Sequence, residues 1–338
     1  MYIQPPRLYA HSSLSAKERT LVPLSPPGLT ISDRTVHWEF RPSITSWDKL
    51  NAFWMMRFAA QAFMTDDPRM EEELTQLGFS FYETISHPRS GLKAFIISNQ
   101  STVILAFRGT SNIANWCTDF DMKLIDASTH SPTTNPGMAH RGFTRSLNSS
   151  WSLIREKIDH CYQPNKKIWV TGHSLGGALA TLTALRLKEL GYNLGPVYTF
   201  AAPAVGCAQL NARISDHLQL FRIVTDHDIV PRLPPERSTL NEIKSWLPVG
   251  RYLSSWLANQ AYGKGDYCQS GTLISLGPHH FHPVDESTAK DDHLNFWTEY
   301  HKAINQTGIQ EFWQGVRAQA QRHNERTYLS LIANHSHY

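Results

Sequence analysis

The amino-acid sequence predicts an α/β protein with a mostly parallel central sheet and helices on both faces. Short apolar runs typical of buried strands alternate with longer segments of helical periodicity, and this alternation is typical of parallel sheets. The chain has 338 residues, of which 41% are hydrophobic and 18% charged, enough for one large core. The predicted strands cover residues 92–98, 102–107, 167–170, 197–201 and 220–224, and the predicted helices cover residues 47–64, 143–158 and 177–191.

The chain divides into three predicted regions. Residues 1–46 are rich in proline and serine without sustained periodicity, so we expect an irregular N-terminal arm. Residues 47–305 form the predicted α/β domain, and within it residues 236–290 lack a clear period and are expected to be an insertion. Residues 306–338 alternate apolar and charged groups at roughly helical spacing and are expected to form a C-terminal helical tail.

Composition and charge narrow the class of protein. The formal net charge of +3 is small and evenly spread, which argues against nucleic acid as a partner. No uninterrupted apolar run approaches the roughly 18 residues of a membrane-spanning helix. The first residues lack a basic start followed by an apolar run, so we expect a cytoplasmic protein, with export by a signal-independent route as the alternative.

The four cysteines are Cys117, Cys161, Cys207 and Cys268. They are far apart in the sequence and form no Cys-x-x-Cys motif. We therefore expect mostly buried thiols and no disulfide framework.

A serine in Gly172-x-Ser174-x-Gly176 lies directly between the strand at 167–170 and the helix that follows. Strand, tight turn and helix are the context of a nucleophile elbow, which points to the α/β-hydrolase fold. The two glycines give the turn the room that close packing of helix on strand requires. Ser174 is therefore the predicted nucleophile.

A serine nucleophile needs a base, and the base needs an orienting carboxylate; in this fold both follow the serine in the chain. Two aspartates, Asp226 and Asp228, follow the predicted strand 220–224. Asp228 precedes the apolar segment Ile-Val-Pro, which could fix its position, so we favour it as the acid. Asp226 is expected to cap the turn.

Eight histidines follow Asp228, and His293 is the favoured base because it lies where a loop meets a predicted helix. His280 and His282 are the alternatives. We expect His323 and the two later histidines to lie far from the site, in or after the C-terminal helix. The run His279-His280-x-His282 lacks partners at metal-ligand spacing, so no metal and no cofactor are expected.

A serine nucleophile of this kind also needs backbone donors for the oxyanion that forms. One is expected from Leu175, the residue after the nucleophile. The other is expected from Thr110, which follows the glycine turn at the end of the predicted strand 102–107.

Four separated segments resemble the class 3 lipase family, which contains the filamentous-fungal triacylglycerol lipases. They are an oxyanion segment at 107–110, the elbow at 170–180, an acid segment at 228–235 and a histidine segment at 292–296. Two further segments, 140–143 and 200–206, also fit, and the resemblance extends from about residue 52 to 304. It implies Ser174, Asp228 and His293 as the triad, with the amides of Thr110 and Leu175 as the oxyanion hole.

The resemblance also implies a lid, a short amphipathic helix after the oxyanion segment. Ile113, Trp116 and Phe120 lie at spacings i, i+3 and i+7 and could form its apolar face. The competing interpretation is an ordinary helix that is docked on the core.

The implied activity is hydrolysis of lipid esters, at a lipid–water interface if the lid exists. Phospholipase A1 activity and acyl transfer use the same machinery and stay open as alternatives. A lipase-like protein that has lost catalysis and serves as an interaction scaffold is a third alternative.

Overall fold

The computed structural model describes twelve parts of the chain, which include most of the predicted α/β domain and one helix near the C-terminus. These parts are residues 21–23, 35–37, 40–65, 67–110, 123–127, 137–226, 228–234, 236, 266–285, 287–289, 295–298 and 323–335. The lid candidates Ile113, Trp116 and Phe120, together with His293, lie outside the described residues.

The strands and helices follow the alternation that the sequence predicts. In chain order the strands are β1 (Leu21–Pro23), β2 (Thr35–His37), β3 (Phe81–His87), β4 (Leu92–Ser98), β5 (Thr102–Phe107), β6 (Leu124–Asp126), β7 (Met138–His140), β8 (Lys167–His173), β9 (Val197–Phe200), β10 (Leu220–Thr225), β11 (Thr272–Leu276) and β12 (Phe281–Pro283). The helices are α1 (Lys49–Gln61), α2 (Arg69–Gln76), α3 (Arg141–Cys161), α4 (Leu175–Glu189), α5 (Ala208–His217) and α6 (Glu325–His335).

Among the described residues, eight strands form the central sheet in the order β12-β11-β10-β9-β8-β5-β4-β3. The five inner strands from β11 to β5 run parallel, and the outer strands β12, β4 and β3 pair antiparallel with their neighbours. Every residue of β5 is buried, as expected for a parallel strand that is covered on both faces. The carboxyl ends of the parallel strands meet at one edge of the sheet, where α/β folds place their sites.

Helices cover both faces of this sheet. Helices α1, α2 and α6 share one hydrophobic cluster with the sheet, and helices α3, α4 and α5 share the other. Helix α1 is buried at every position from Leu50 to Gln61. A helix that is buried all round has neighbours on every side, and α1 lies between the sheet and the C-terminal helix α6.

Two predicted regions contribute to the central fold more than we expect from the sequence. Strands β11 and β12 lie within 236–290, the predicted insertion, yet they extend the central sheet beyond β10. Helix α6 lies within the predicted tail 306–338 and buries Tyr328, Leu329 and Ile332 in the core. The physical reason is that these elements are short. Strand β11 buries three of its five residues, β12 one of its three and α6 four of its eleven, so the apolar pattern within each is brief.

No disulfide joins the described cysteines. Cys161 and Cys207 are buried, as the sequence predicts, Cys268 is half-buried, and Cys117 lies outside the described residues. Burial raises the pKa of the Cys161 thiol to about 12, so it stays protonated and unreactive.

Within the described ranges, no helix combines the length and the apolar character that a membrane crossing requires.

Replacing a buried side chain of α6 tests whether this helix belongs to the core. Leu329 is fully buried, so Leu329→Ala should lower the free energy of unfolding by about 2–5 kcal/mol in a urea titration. Leu331→Ala, at a half-buried position of the same helix, is the matched control and should cost clearly less. Equal losses for the two variants would contradict the packing of α6 described here.

Candidate active site

Ser174 occupies a strained turn between β8 and α4. Its backbone has φ 60° and ψ −130°, a left-handed φ that non-glycine residues rarely adopt. The N–H of Ser174 donates to the carbonyl oxygen of Phe200 at 2.8 Å, which fixes the turn to the neighbouring strand β9. The side chain is 1% exposed, and its Oγ has no hydrogen-bond partner among the described residues.

The glycines on either side of Ser174 are required by close backbone contacts. A Cβ on Gly172 would lie 2.3 Å from backbone atoms of Gly176. A Cβ on Gly176 would lie 2.3 Å from the carbonyl oxygen of Phe107, at the end of β5. The room that the sequence motif predicts is therefore present, and it lets the helix begin directly beside the strand ends.

The segment after β5 packs directly on Ser174. Phe107 pairs with Gly172 in the parallel ladder of β5 and β8. A Cβ on Gly109 would lie 2.6 Å from the carbonyl oxygen of His173 and 3.2 Å from Cβ of Ser174. Thr110 follows directly. On the other side, Leu175 is the first residue of α4, where the helix itself offers its N–H no acceptor.

Of the two aspartates after β10, only Asp228 is buried. Its side chain is 0% exposed, and its Oδ1 accepts a hydrogen bond from the N–H of Val230 at 3.0 Å. A short 3₁₀ turn, Val230–Arg232, begins there and holds the loop. Asp226 is 40% exposed.

The buried carboxylate of Asp228 is paired with His323. Nδ1 of His323 lies 2.7 Å from Oδ2 of Asp228, and the ring is almost fully buried. The ring centroid lies 4.8 Å from that of His173, the residue before Ser174. Nε2 of His323 is buried and has no partner among the described residues. An imidazole held through Nδ1 is oriented as a general base requires. Nε2 of His323 and Oγ of Ser174 are both without a partner among the described residues, so the structure shows no hydrogen bond between them.

The prediction that His323 lies far from the site is therefore wrong. His323 comes two residues before α6, and this helix folds back onto α1 and carries the imidazole to the edge of the sheet. The signal in the sequence is short: Tyr328, Leu329 and Ile332 place three apolar side chains on one side of a helix. A helix with such a face returns to the core and brings its first residues with it.

The other predicted histidines are placed differently. His293 lies outside the described residues. Nε2 of His280 lies 2.9 Å from Oγ of Ser275 and 3.3 Å from Oδ1 of Asp226, in a half-exposed cluster separate from Asp228. His282 is exposed, and its Nδ1 lies 3.0 Å from the carbonyl oxygen of Pro283.

Burial controls the charge of two neighbours of the Asp228–His323 pair. Desolvation, and to a smaller extent the charge of His323, hold the pKa of His173 well below its usual value, so His173 is neutral at neutral pH. Desolvation and the charge of Asp228 hold the pKa of the Tyr328 phenol well above its usual value, so Tyr328 keeps its proton. Both side chains are therefore uncharged neighbours of the Asp228–His323 pair.

In the part of the chain that the structure describes, no cluster of three or more histidine, cysteine or acidic side chains could hold a metal ion.

Comparison with known proteins gives consistent results. A family model described as lipase (class 3) matches residues 104–238. The secreted mono- and diacylglycerol lipase A of Penicillium cyclopium is 34% identical over 178 residues, which cover 49% of this chain and 54% of the relative. A lipase of Rhizomucor miehei is 36% identical over 144 residues, or 40% of this chain and 39% of the relative. The chain thus spans about half the length, or less, of these curated relatives.

The prediction of a cytoplasmic location is contradicted by these comparisons. Relatives from Penicillium cyclopium, Penicillium camembertii and Fusarium solani are named secreted lipases. The first residues of a chain were too narrow a basis for that prediction.

Solved structures share the fold. A Rhizomucor miehei lipase in complex with its propeptide superposes with a TM-score of 0.54 at 22% identity and covers 72% of each chain. A triacylglycerol lipase of Penicillium expansum superposes with a TM-score of 0.53 at 15% identity, covering 73% of this chain and 87% of that chain. The predicted α/β-hydrolase fold is confirmed, and residues 104–238 of the chain match the class 3 lipase model.

Proposed function

We propose that this protein hydrolyses carboxylic esters of lipids through an acyl-enzyme, with Ser174 as nucleophile, His323 as base and Asp228 as the orienting acid. The observation that carries the proposal is the buried hydrogen bond of 2.7 Å between Asp228 and His323, next to the strained elbow of Ser174. The names of the matched lipases support a lipid ester as substrate and an extracellular location.

In this mechanism Nε2 of His323 takes the proton of the Ser174 hydroxyl as its oxygen attacks the ester carbonyl. The negative charge that develops on the carbonyl oxygen is stabilised by the amides of Leu175 and Thr110, the positive end of α4 adding to the effect. His323 then protonates the departing alcohol. A water molecule, activated by the same imidazole, releases the acid from Ser174 and restores the enzyme.

Asp228 serves this cycle in two ways. By accepting from Nδ1 it holds the imidazole in the tautomer whose Nε2 is unprotonated and can take a proton. Its negative charge stabilises the imidazolium that forms during attack, and this effect is strong because the carboxylate is fully buried. No metal or organic cofactor enters any step.

The role of His323 is tested against that of His293. Purified His323→Gln should lose at least about 10³-fold in kcat on a nitrophenyl ester, like Ser174→Ala, because the serine loses its base. His293→Gln is the matched control and should keep kcat within a few-fold. If His293→Gln is inactive while His323→Gln is active, the base is His293, and the proposed role of His323 is excluded.

The two aspartates offer a similar comparison. Asp228→Asn should lower kcat by about 10⁴-fold, because the amide favours the wrong imidazole tautomer. Asp226→Asn should leave kcat within a few-fold, since Asp226 contacts His280 and Ser275 and not His323. The kcat of both variants, measured on the same ester at pH 8, shows which aspartate is the orienting acid. A larger loss at position 226 would contradict the assignment of Asp228.

Chain-length preference tests the lipid substrate. Nitrophenyl esters of increasing acyl length should be cleaved with rising kcat/KM, and emulsified substrate should give a further increase if a lid opens at an interface. Ser174→Ala measures the background rate. A steady preference for acetyl esters would contradict lipid as the substrate class, while leaving ester hydrolysis itself intact.

A further inference from the structure

Tyr328 is bonded directly to the acid of the proposed triad. Its hydroxyl donates to Oδ2 of Asp228 at 2.8 Å, and this is the same oxygen that Nδ1 of His323 approaches at 2.7 Å. The phenol oxygen also accepts from the backbone N–H of Thr225 at 3.1 Å, at the end of β10. Tyr328 is fully buried, and it was not among the predicted site residues.

The donor and acceptor roles in this cluster follow from proton counting. The N–H of Thr225 can only donate, so the phenol oxygen accepts there. Oγ1 of Thr225 also donates to the phenol oxygen, at 3.4 Å. The single phenol proton is then left for Asp228, whose ionised carboxylate can only accept. Nδ1 of His323 must therefore also carry a proton, since Oδ2 offers it no donor. The hydroxyl of Tyr328 thus helps to fix the histidine tautomer through Asp228.

Two donors on one carboxylate oxygen compete for its charge. Each hydrogen bond stabilises the anion and weakens its pull on the other donor. The bond from Tyr328 therefore reduces the stabilisation that Asp228 gives to protonated His323. It also holds the carboxylate in place from the C-terminal helix, while Val230 N–H holds Oδ1 from the acid loop at 3.0 Å.

We propose that Tyr328 is a positioning residue that fixes the Asp228 carboxylate and limits the basicity of His323. The proposal rests on the proposed function, since it needs His323 as base. The titratable groups that face His323 among the described residues are Asp228 from the acid loop, Tyr328 from α6 and His173 from β8, whose ring lies 4.8 Å away. His173 is neutral and unchanged in the variants below, so a shift of the pH profile reports on Tyr328.

Removing the hydroxyl is the first test. Tyr328→Phe should lower kcat about tenfold with KM almost unchanged, because the Asp228 carboxylate loses one of the hydrogen bonds that fix its position. The acidic limb of the kcat/KM profile should move to higher pH by about half a unit, because Asp228 then stabilises the imidazolium more strongly and the base stays protonated further into the neutral range.

Tyr198→Phe is the matched control. Tyr198 is a fully buried tyrosine of β9, and among the described residues no hydrogen bond joins it to Asp228 or His323. It should leave both kcat and the pH profile as in the wild type. If both variants lose a similar free energy of unfolding but only Tyr328→Phe changes kcat and the pH profile, the change is not a general effect of lost packing.

Replacing Tyr328 by 3-fluorotyrosine provides a test that does not require the Tyr328→Phe protein to fold. The fluorinated phenol has almost the same size and is a stronger donor. The acidic limb should therefore move in the opposite direction, to lower pH. Opposite shifts for the two replacements support the proposal. Unchanged profiles, or shifts of the same sign, overturn it.

Failure of the proposed function would look different. If His323→Gln remains active, the base is elsewhere and the proposed triad fails, whatever Tyr328→Phe does. If His323→Gln is inactive and Tyr328→Phe has the wild-type kcat and pH profile, the triad stands and only the role of Tyr328 is wrong.

Discussion

The buried carboxylate of Asp228 joins three parts of the chain that would otherwise be separate. Its Oδ1 accepts from Val230 in the acid loop, and its Oδ2 meets His323 and Tyr328 at the beginning and middle of the C-terminal segment. An ion that is fully removed from water is tolerated only when its lone pairs are satisfied. The site at the sheet edge and the docking of α6 therefore depend on each other.

Different elements of the fold therefore position the different residues of the proposed site. The sheet and the elbow fix Ser174, because β8, β9 and α4 meet there with glycines at the closest contacts. The end of β10 fixes Asp228, the proposed acid. His323, the proposed base, lies two residues before α6. Helix α6 packs on the opposite face of the sheet from α4, in one hydrophobic cluster with α1. A change that loosens α6 would disconnect the base without touching the nucleophile.

From the sequence, predictions could be made for the parts of the site that depend on local structure. The elbow around Ser174, the glycine turn before Thr110 and the choice between Asp226 and Asp228 all follow from short motifs next to strands. His323 and Tyr328 could not be found in this way, because their roles depend on where a distant helix packs. The strands β11 and β12 were missed for a related reason: they are short, and pairing with β10 stabilises them more than their own pattern does.

The hydrogen-bonded imidazole proton reports most directly on the pairing of His323 with Asp228. In proton NMR of the enzyme with ¹⁵N-labelled histidine, we expect one far-downfield Nδ1–H resonance that is lost in Asp228→Asn and in His323→Gln and retained in His293→Gln. A downfield resonance that survives in His323→Gln and disappears in His293→Gln would contradict it.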